Sequence, residues 1–136
     1  MPARKNEATL ELLLRALGDR TRLRLLNLMG NDEVCVCLFV EVLGTNQPKI
    51  SRHLAYLRRA GIVDARREGK WMHYRIVRPR NDRAHRVLDE VLASLTDDAE
   101  MNRDRKRLDR LCCGPRSLIQ LKGAPLPERL TTSLSA

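Results

Sequence analysis

The chain has 136 residues, the length of one small domain. Its 26 lysines and arginines exceed its 17 aspartates and glutamates, so the formal net charge is +9. This excess favours a polyanionic partner, because each phosphate that a cation neutralises releases condensed counterions, although a basic surface without a partner carries the same charge. No apolar run approaches the roughly 18 residues that span a bilayer, and residues 1–7 are too polar for a secretory signal. We therefore expect no membrane partner and a cytoplasmic location, where thiols stay reduced.

The first sixty residues carry the signals of four helices. The earliest helical face is formed by leucines at the i, i+3, i+4, i+7 spacing, namely Leu10, Leu13, Leu14 and Leu17. Asp19 follows a glycine and is placed to cap a second helix. A third helix is predicted from about Glu33 to Leu43, where another glycine follows. A fourth begins after Asn46, has Pro48 in its first turn and ends at Gly61.

After Gly61 the pattern changes to the period of a strand. Residues 62–67 and 71–76 predict two strands joined by a turn at residues 68–70, which together form a β-hairpin. A longer helix follows, with one apolar face formed by Leu88, Val91, Leu92 and Leu95. Residues 97–110 are densely charged and predict an exposed helical extension that begins with a cap at Thr96. We expect a folded domain over residues 1–112 and a flexible C-terminal tail over residues 113–136, which is rich in proline and poor in apolar residues.

This order of elements predicts a mostly α-helical, winged helix-turn-helix fold in which the hairpin is the wing. The fourth helix is the candidate recognition helix, since a helix that enters the major groove needs exposed hydrogen-bonding side chains near its N-terminus. It offers five of them, Gln47, Lys49, Ser51, Arg52 and His53. The hairpin tip adds three cations that suit the DNA backbone or the minor groove, Arg66, Arg67 and Lys70. The alternatives are an ordinary solvated helix face and a His53 that packs against the turn instead of reaching a base.

The four cysteines form two tight pairs, Cys35 with Cys37 and Cys112 with Cys113. Neither spacing suits a disulfide within the pair, so reduced thiols here indicate metal ligands or redox sensors. Residues i and i+2 of a regular helix point roughly 200° apart, so Cys35 and Cys37 can share one ion only if the first turn of the third helix bends or unwinds. That distortion would disturb the DNA-binding arrangement. The alternatives are two small buried hydrophobes for the first pair and incidental exposed thiols for the second.

Three blocks of sequence carry a resemblance: residues 33–37 (Glu-Val-Cys-Val-Cys), residues 47–54 (Gln-Pro-Lys-Ile-Ser-Arg-His-Leu) and residues 69–75 (Gly-Lys-Trp-Met-His-Tyr-Arg). Over about Leu10 to Val77 the chain resembles the ArsR/SmtB family of metal-responsive repressors, and among them the arsenic-responsive type. The resemblance implies a homodimer, joined through its first and last helices, that binds double-stranded operator DNA and represses a resistance operon until cysteine thiolates bind the toxic ion. It ranks arsenite first as the inducer, followed by antimonite, Cd²⁺ or Pb²⁺. Soft thiolate donors exclude Mg²⁺ and Ca²⁺, and we expect no organic cofactor.

The same resemblance leaves the third ligand open. A typical arsenic-responsive member follows Cys-Val-Cys with Asp-Leu-Cys, whereas this chain has Leu-Phe-Val at residues 38–40. Cys112 or Cys113, from the same chain or from the partner, can supply the missing donor, as can solvent or a small thiol. Cys112 and Cys113 can alternatively form a two-sulfur site for a methylated arsenical. The family's other metal site needs a second histidine beside Asp82, His85 and Asp89, so we expect no zinc site on that helix.

Three other functions compete with a metalloid switch. A redox-sensing repressor would oxidise Cys35 or Cys37 and pair it with Cys112 or Cys113. A nucleoid protein would bind DNA without sequence preference or ligand response. An enzyme is not expected, because no catalytic motif surrounds either cysteine pair and the sequence has no glycine-rich phosphate loop.

Overall fold

The computed structural model describes residues 9–113, with side chains as far as Cys112. Within this range the helices are α1 (Leu10–Leu17), α2 (Arg20–Met29), α3 (Val36–Leu43), α4 (Gln47–Arg59), α5 (Asp82–Ser94) and α6 (Ala99–Cys113). A 3₁₀ turn, Leu95–Asp97, joins the last two helices. The strands are β1 (Val34–Cys35), β2 (Val63–Glu68) and β3 (Trp71–Ile76). The predicted tail lies outside the described residues, apart from Cys113 at the end of α6.

Local side-chain caps start the helices where the sequence predicts them. Asp19 Oδ1 accepts a hydrogen bond from the Arg22 N–H at 3.0 Å, and Asn46 Oδ1 accepts one from the Lys49 N–H at 2.9 Å. Each side chain satisfies an N–H that the first helical turn leaves without a partner. The wing turns at Gly69, whose φ of +60° lies in the left-handed region that favours glycine. The predicted mostly helical fold with a hairpin wing is confirmed.

The start of the third helix differs from the prediction. Val34 and Cys35 form the short strand β1, which pairs antiparallel with β3 and makes a sheet of strand order β1-β3-β2. Cys35 is the N-cap of α3, with extended backbone angles of φ −72° and ψ 142°. The predicted helix start at Glu33 is therefore wrong. The backbone of residues 34–35 pairs through hydrogen bonds with β3, which lies about 40 residues further along the chain.

The charged segment after the 3₁₀ turn is also different from the prediction. Residues 99–113 form α6, which is capped by Asp98 and packs on α2 and α3 instead of extending into solvent. Met101 and Leu108 are buried on its inner face, and so is Asp104. Asp104 accepts two hydrogen bonds from Arg24 of α2, at 2.8 and 3.0 Å. The prediction of an exposed extension is wrong. Asp104 faces inward and pairs with Arg24 on a distant helix, so burying its charge carries little penalty.

The core lies where α1 to α4 and α6 meet the sheet. Its largest fully buried side chains include Leu25, Leu38, Phe39, Ile50, Leu54 and Leu57. Helix α1 buries Leu13, Ala16 and Leu17, yet it leaves Leu10 and Leu14 54% and 52% exposed. Among the described residues, no helix is both long and apolar enough to cross a membrane.

Candidate nucleic-acid interface and thiol pair

Helix α4 presents the predicted recognition residues on its outer face. Ile50, Leu54 and Leu57 are buried and fix the inner face against the core. The outer residues near the N-terminus are Gln47, Lys49 and Arg52, which are exposed, and Ser51, which is half-buried. No acidic residue lies between Gln47 and Arg59, so the face is uniformly neutral or positive. A polar, cationic face at a helix N-terminus fits the major groove and its phosphates.

His53 lies closer to α2 than to this outer face. Its Nδ1 is 3.4 Å from Arg22 Nη1 and 3.8 Å from Asp19 Oδ1, and its side chain is 18% exposed. Burial lowers the pKa of His53, so the ring is neutral at pH 7. The structure thus favours the packing interpretation of this residue over a direct contact with a base.

Arg22 is a positioning residue that the sequence pattern did not reveal. Its guanidinium donates to the Ala16 carbonyl at 2.8 Å and to the Arg15 carbonyl at 2.9 Å, at the end of α1. The same group stacks 4.2 Å from the ring centroid of Tyr56 in α4. Arg22 of α2 therefore links α1 to α4. Nothing in its local sequence distinguishes it from a solvated arginine.

The three wing cations are not equivalent. Arg66 donates to both carboxylate oxygens of Glu33, including two contacts of 3.1 Å from its Nε, and it also contacts Glu68 at 3.2 Å. Arg67 and Lys70 are exposed, and no carboxylate pairs with either of them in the part of the chain that the structure describes. Arg67 and Lys70 therefore differ from Arg66, which two carboxylates engage, and the Lys70 ammonium lies 5.1 Å from the centroid of the Trp71 ring.

Cys35 and Cys37 are brought together by the strand-to-helix transition. The two sulfurs are 3.2 Å apart, and the Cys37 thiol donates to Cys35. Cys35 is buried and Cys37 is half-buried. The expectation that the helix must unwind before both sulfurs can face one ion is wrong, because Cys35 lies before the helix and its extended backbone already turns its side chain towards Cys37.

The same contact makes Cys35 unusually acidic. Its pKa is lowered to about 7, chiefly by the hydrogen bond from the Cys37 thiol and further by the N–H groups of residues 36 and 37, although burial opposes the shift. These N–H groups belong to the first turn of α3, where helix termini stabilise anions. The thiolate form of Cys35 is therefore more populated at neutral pH than that of an ordinary cysteine.

The structure describes only one of the two other predicted thiol ligands. Cys112 is buried on α6, and the side chain of Cys113 lies outside the described residues. No group of three or more His, Cys, Asp or Glu side chains is arranged to hold a metal ion within residues 9–113. On α5, His85 contacts Asp89 at 3.1 Å, and Asp89 also accepts from Arg78 at 2.9 Å.

Comparison with known proteins gives the family. The family described as bacterial regulatory protein, arsR family, matches residues 19–65, which run from the cap of α2 into β2. The arsenical resistance operon repressor of Escherichia coli is 43% identical over 80 residues, which cover 58% of this chain and 68% of the repressor. An arsenic resistance transcriptional regulator of Pseudomonas putida is 37% identical over 109 residues, which cover 74% of this chain and 95% of that protein.

Among solved structures, a homodimeric winged helix-turn-helix DNA-binding domain from Mycobacterium bovis matches with a TM-score of 0.52 and 28% identity, over 65% of this chain and 80% of that one. These relatives are regulators of transcription and none is an enzyme. The chain belongs to the arsR family of bacterial regulatory proteins, and it is a transcriptional regulator with a winged helix-turn-helix DNA-binding domain.

Proposed function

We propose that the chain is a repressor that binds operator DNA as a homodimer and leaves it when Cys35 and Cys37 bind trivalent arsenic or antimony. The observation that carries this proposal is the pair of sulfurs 3.2 Å apart, one of them with a pKa of about 7. Two relatives of the chain, from Escherichia coli and Pseudomonas putida, are named for arsenic resistance, which supports the same class of inducer.

The spacing of the two sulfurs supports a metalloid over a tetrahedral metal as the inducer. Two bonds of about 2.3 Å, the length of a metal–thiolate bond, meet at about 88° when they reach sulfurs 3.2 Å apart. A tetrahedral ion such as Zn²⁺ needs an angle of about 109° and sulfurs about 3.8 Å apart. Trivalent arsenic and antimony bond through nearly perpendicular p orbitals and keep a lone pair, so they favour the narrower angle. The pair therefore suits a pyramidal metalloid better than a tetrahedral metal.

The chemistry of capture is a ligand exchange. Each thiol replaces one hydroxide of arsenous acid, and its proton leaves with that hydroxide as water, so two sulfur–arsenic bonds form and two waters are released. Cys35 reacts first because its thiolate is populated at neutral pH. Cys37 reacts second, since its sulfur lies within hydrogen-bond distance of the Cys35 sulfur. The third position stays with hydroxide or takes a further thiol, for which Cys112, Cys113 or a small thiol are the candidates.

The operator-binding surface in this proposal combines α4 with the wing. Gln47, Lys49, Ser51 and Arg52 contact bases and phosphates in the major groove, while Arg67 and Lys70 contact the flanking backbone. A homodimer places two such surfaces about one helical turn of DNA apart. The exposed Leu10 and Leu14 of α1 support dimerisation through the first helix, because two large leucines on one helix face are costly to leave in water.

Fluorescence anisotropy of a labelled operator fragment tests the proposal. Reduced protein bound to the fragment is titrated separately with arsenite, antimonite, Cd²⁺, Zn²⁺ and peroxide. Arsenite is expected to release the DNA from the wild type and from the Cys112→Ser variant, and to leave Cys35→Ser and Cys37→Ser bound. If no ion releases the DNA, the metalloid switch is refuted and a DNA-binding regulator of the family remains.

A thiol redox switch is the second candidate, favoured by the same short sulfur–sulfur distance and the lowered pKa of Cys35. Peroxide would oxidise the Cys35 thiolate to a sulfenic acid, and a second thiol would then displace water to form a disulfide. Release by peroxide in the absence of any ion, and its reversal by a dithiol reductant, would identify this alternative. Release by arsenite under strictly reducing conditions identifies the metalloid.

A further inference from the structure

The thiol pair is joined to the wing through the sheet. Cys35 in β1 lies opposite His73 in β3, and His73 lies opposite Arg66 in β2. The three residues therefore form one row across the three strands. Because strands in a ladder are held by backbone hydrogen bonds, a displacement of Cys35 is passed to β3, which is the inner strand of the wing.

A side-chain bridge spans the same row. Glu33 precedes β1 by one residue, and its carboxylate binds the guanidinium of Arg66 through both oxygens, across the intervening β3. The pair is directional and charge-assisted, and only 20% of the Glu33 side chain is exposed. His73 is buried in the same row, 3% exposed. The segment that carries the thiols is thus fastened to both strands of the wing, to β3 by its backbone and to β2 by this ion pair.

Arg66 is better placed for this role than for a contact with DNA. Its guanidinium donates through Nε and Nη2 to Glu33 and through Nη2 to Glu68, so two carboxylates already balance its charge. A neighbouring cation, Arg67, is exposed and makes the contact with the DNA backbone in the proposed function.

We propose that the Glu33–Arg66 ion pair is the link through which capture of the inducer at Cys35 and Cys37 repositions the wing and so releases DNA. This inference rests on the proposed metalloid switch. Cys35 is buried, so the metalloid and its third substituent need space beside it. Making that space moves the Cys35 end of β1, the bridge moves with it, and Arg67 and Lys70 lose their register with the DNA backbone. Glu33 and Arg66 are positioning residues in this mechanism and need not touch the inducer or the DNA.

Trp71 is a natural fluorescent probe of the wing conformation. It is the only tryptophan of the chain and opens β3 directly beyond the hairpin turn, opposite Glu68. Tryptophan emission, excited where tyrosine does not absorb, therefore reports on the wing in DNA-free protein. Arsenite is expected to change this emission in the wild type and to change it much less in Glu33→Gln, even though ultraviolet absorption of the new arsenic–thiolate bonds shows equal binding in both proteins.

The release factor, which is the ratio of operator Kd values with and without arsenite, gives the second readout. We expect Glu33→Gln and Arg66→Gln each to lower this factor at least about threefold, and the double variant to lower it no further, since both changes break one link. Glu68→Gln is the matched control, because it removes the same charge from the same arginine but does not join β1 to the wing. It is expected to keep the wild-type factor, and circular dichroism checks that all variants are folded.

The outcomes separate the two proposals. Suppose that arsenite releases DNA from the wild type and from Glu33→Gln by the same factor, with the same change in Trp71 emission. The link is then refuted and the metalloid switch stands. An equal decrease of the release factor in Glu33→Gln and Glu68→Gln would also refute the link, because the loss of one carboxylate charge beside Arg66 would then explain both results. If arsenite does not release the wild type at all, the proposed function fails and the link fails with it.

Discussion

The recognition helix and the wing are held in place by different kinds of interaction. Helix α4 is fixed by Ile50, Leu54 and Leu57, which are fully buried, whereas in β2 of the wing only Val63 is buried. The wing instead depends on ladder hydrogen bonds and on the ion pair from Arg66 to Glu33. Apolar packing is non-directional and persists when a nearby ligand changes, while a single ion pair can be broken by a small displacement. The comparison teaches that α4 is the rigid part of the DNA-binding surface and that the wing is the adjustable part.

The largest expected effect breaks the rigid part. Leu54→Ala removes a fully buried side chain from α4 and is expected to lower the free energy of unfolding by about 2–5 kcal/mol. The loss should be nearly independent of salt, because no charge is involved. Urea denaturation at two ionic strengths measures it, with Gln47→Ala as an exposed control in the same helix that is expected to change stability by less than about 0.5 kcal/mol. A loss as small as that of the control would contradict the packing argument.

A smaller effect tests whether the outer face of α4 reads DNA. Arg52→Ala is expected to weaken operator binding by about 1–3 kcal/mol and to relax specificity at the contacted base, with little change in stability. The control is Arg58→Ala, an exposed arginine at the opposite end of the same helix. Anisotropy with operator and scrambled fragments measures both variants. Equal losses on the two fragments would assign Arg52 to phosphate contacts alone.

The next effect concerns the pKa of the Cys35 thiol. Cys37→Ala removes the hydrogen bond that lowers the pKa of Cys35, so this pKa should rise from about 7 towards the ordinary value of about 8.5. At pH 7 the thiolate fraction of Cys35 would therefore fall by roughly an order of magnitude. Since a thiolate is the deprotonated form, its absorbance rises with pH in both proteins, and only the midpoint moves. Ultraviolet titration in a Cys112→Ser/Cys113→Ser background measures that midpoint, and an unchanged value would contradict the role of Cys37.

The smallest effect sharpens the difference between the wing cations. Arg67→Ala and Lys70→Ala should each lower the slope of log Kd against log salt by about 1, as expected for one lost phosphate contact. Arg66→Ala should leave the slope close to the wild-type value, because Glu33 and Glu68 already occupy its guanidinium. Operator titrations over a range of salt concentrations measure the slopes. A full unit lost in Arg66→Ala would show that Arg66 contacts the DNA after all.

Much of the fold could be predicted because its signals are local. The caps at Asp19 and Asn46, the proline in the first turn of α4 and the glycine of the wing turn each act within a few residues, so they can be identified from the sequence alone. The candidate DNA-contacting residues follow from the same local pattern, since the buried face of α4 determines which side chains remain outside.

The remaining features depend on partners that are far away in the sequence. Residues 34–35 are a strand only because β3 pairs with them, and this pairing brings Cys35 within hydrogen-bond distance of Cys37. The inner face of α6 can bury Asp104 because Arg24, 80 residues earlier, pairs with it. Glu33 meets Arg66 across the sheet for the same kind of reason. The sequence by itself determined which helices form and which side chains can contact DNA or bind a soft ion, and the tertiary structure decided which thiols and charges meet, because such contacts depend on how distant segments pack.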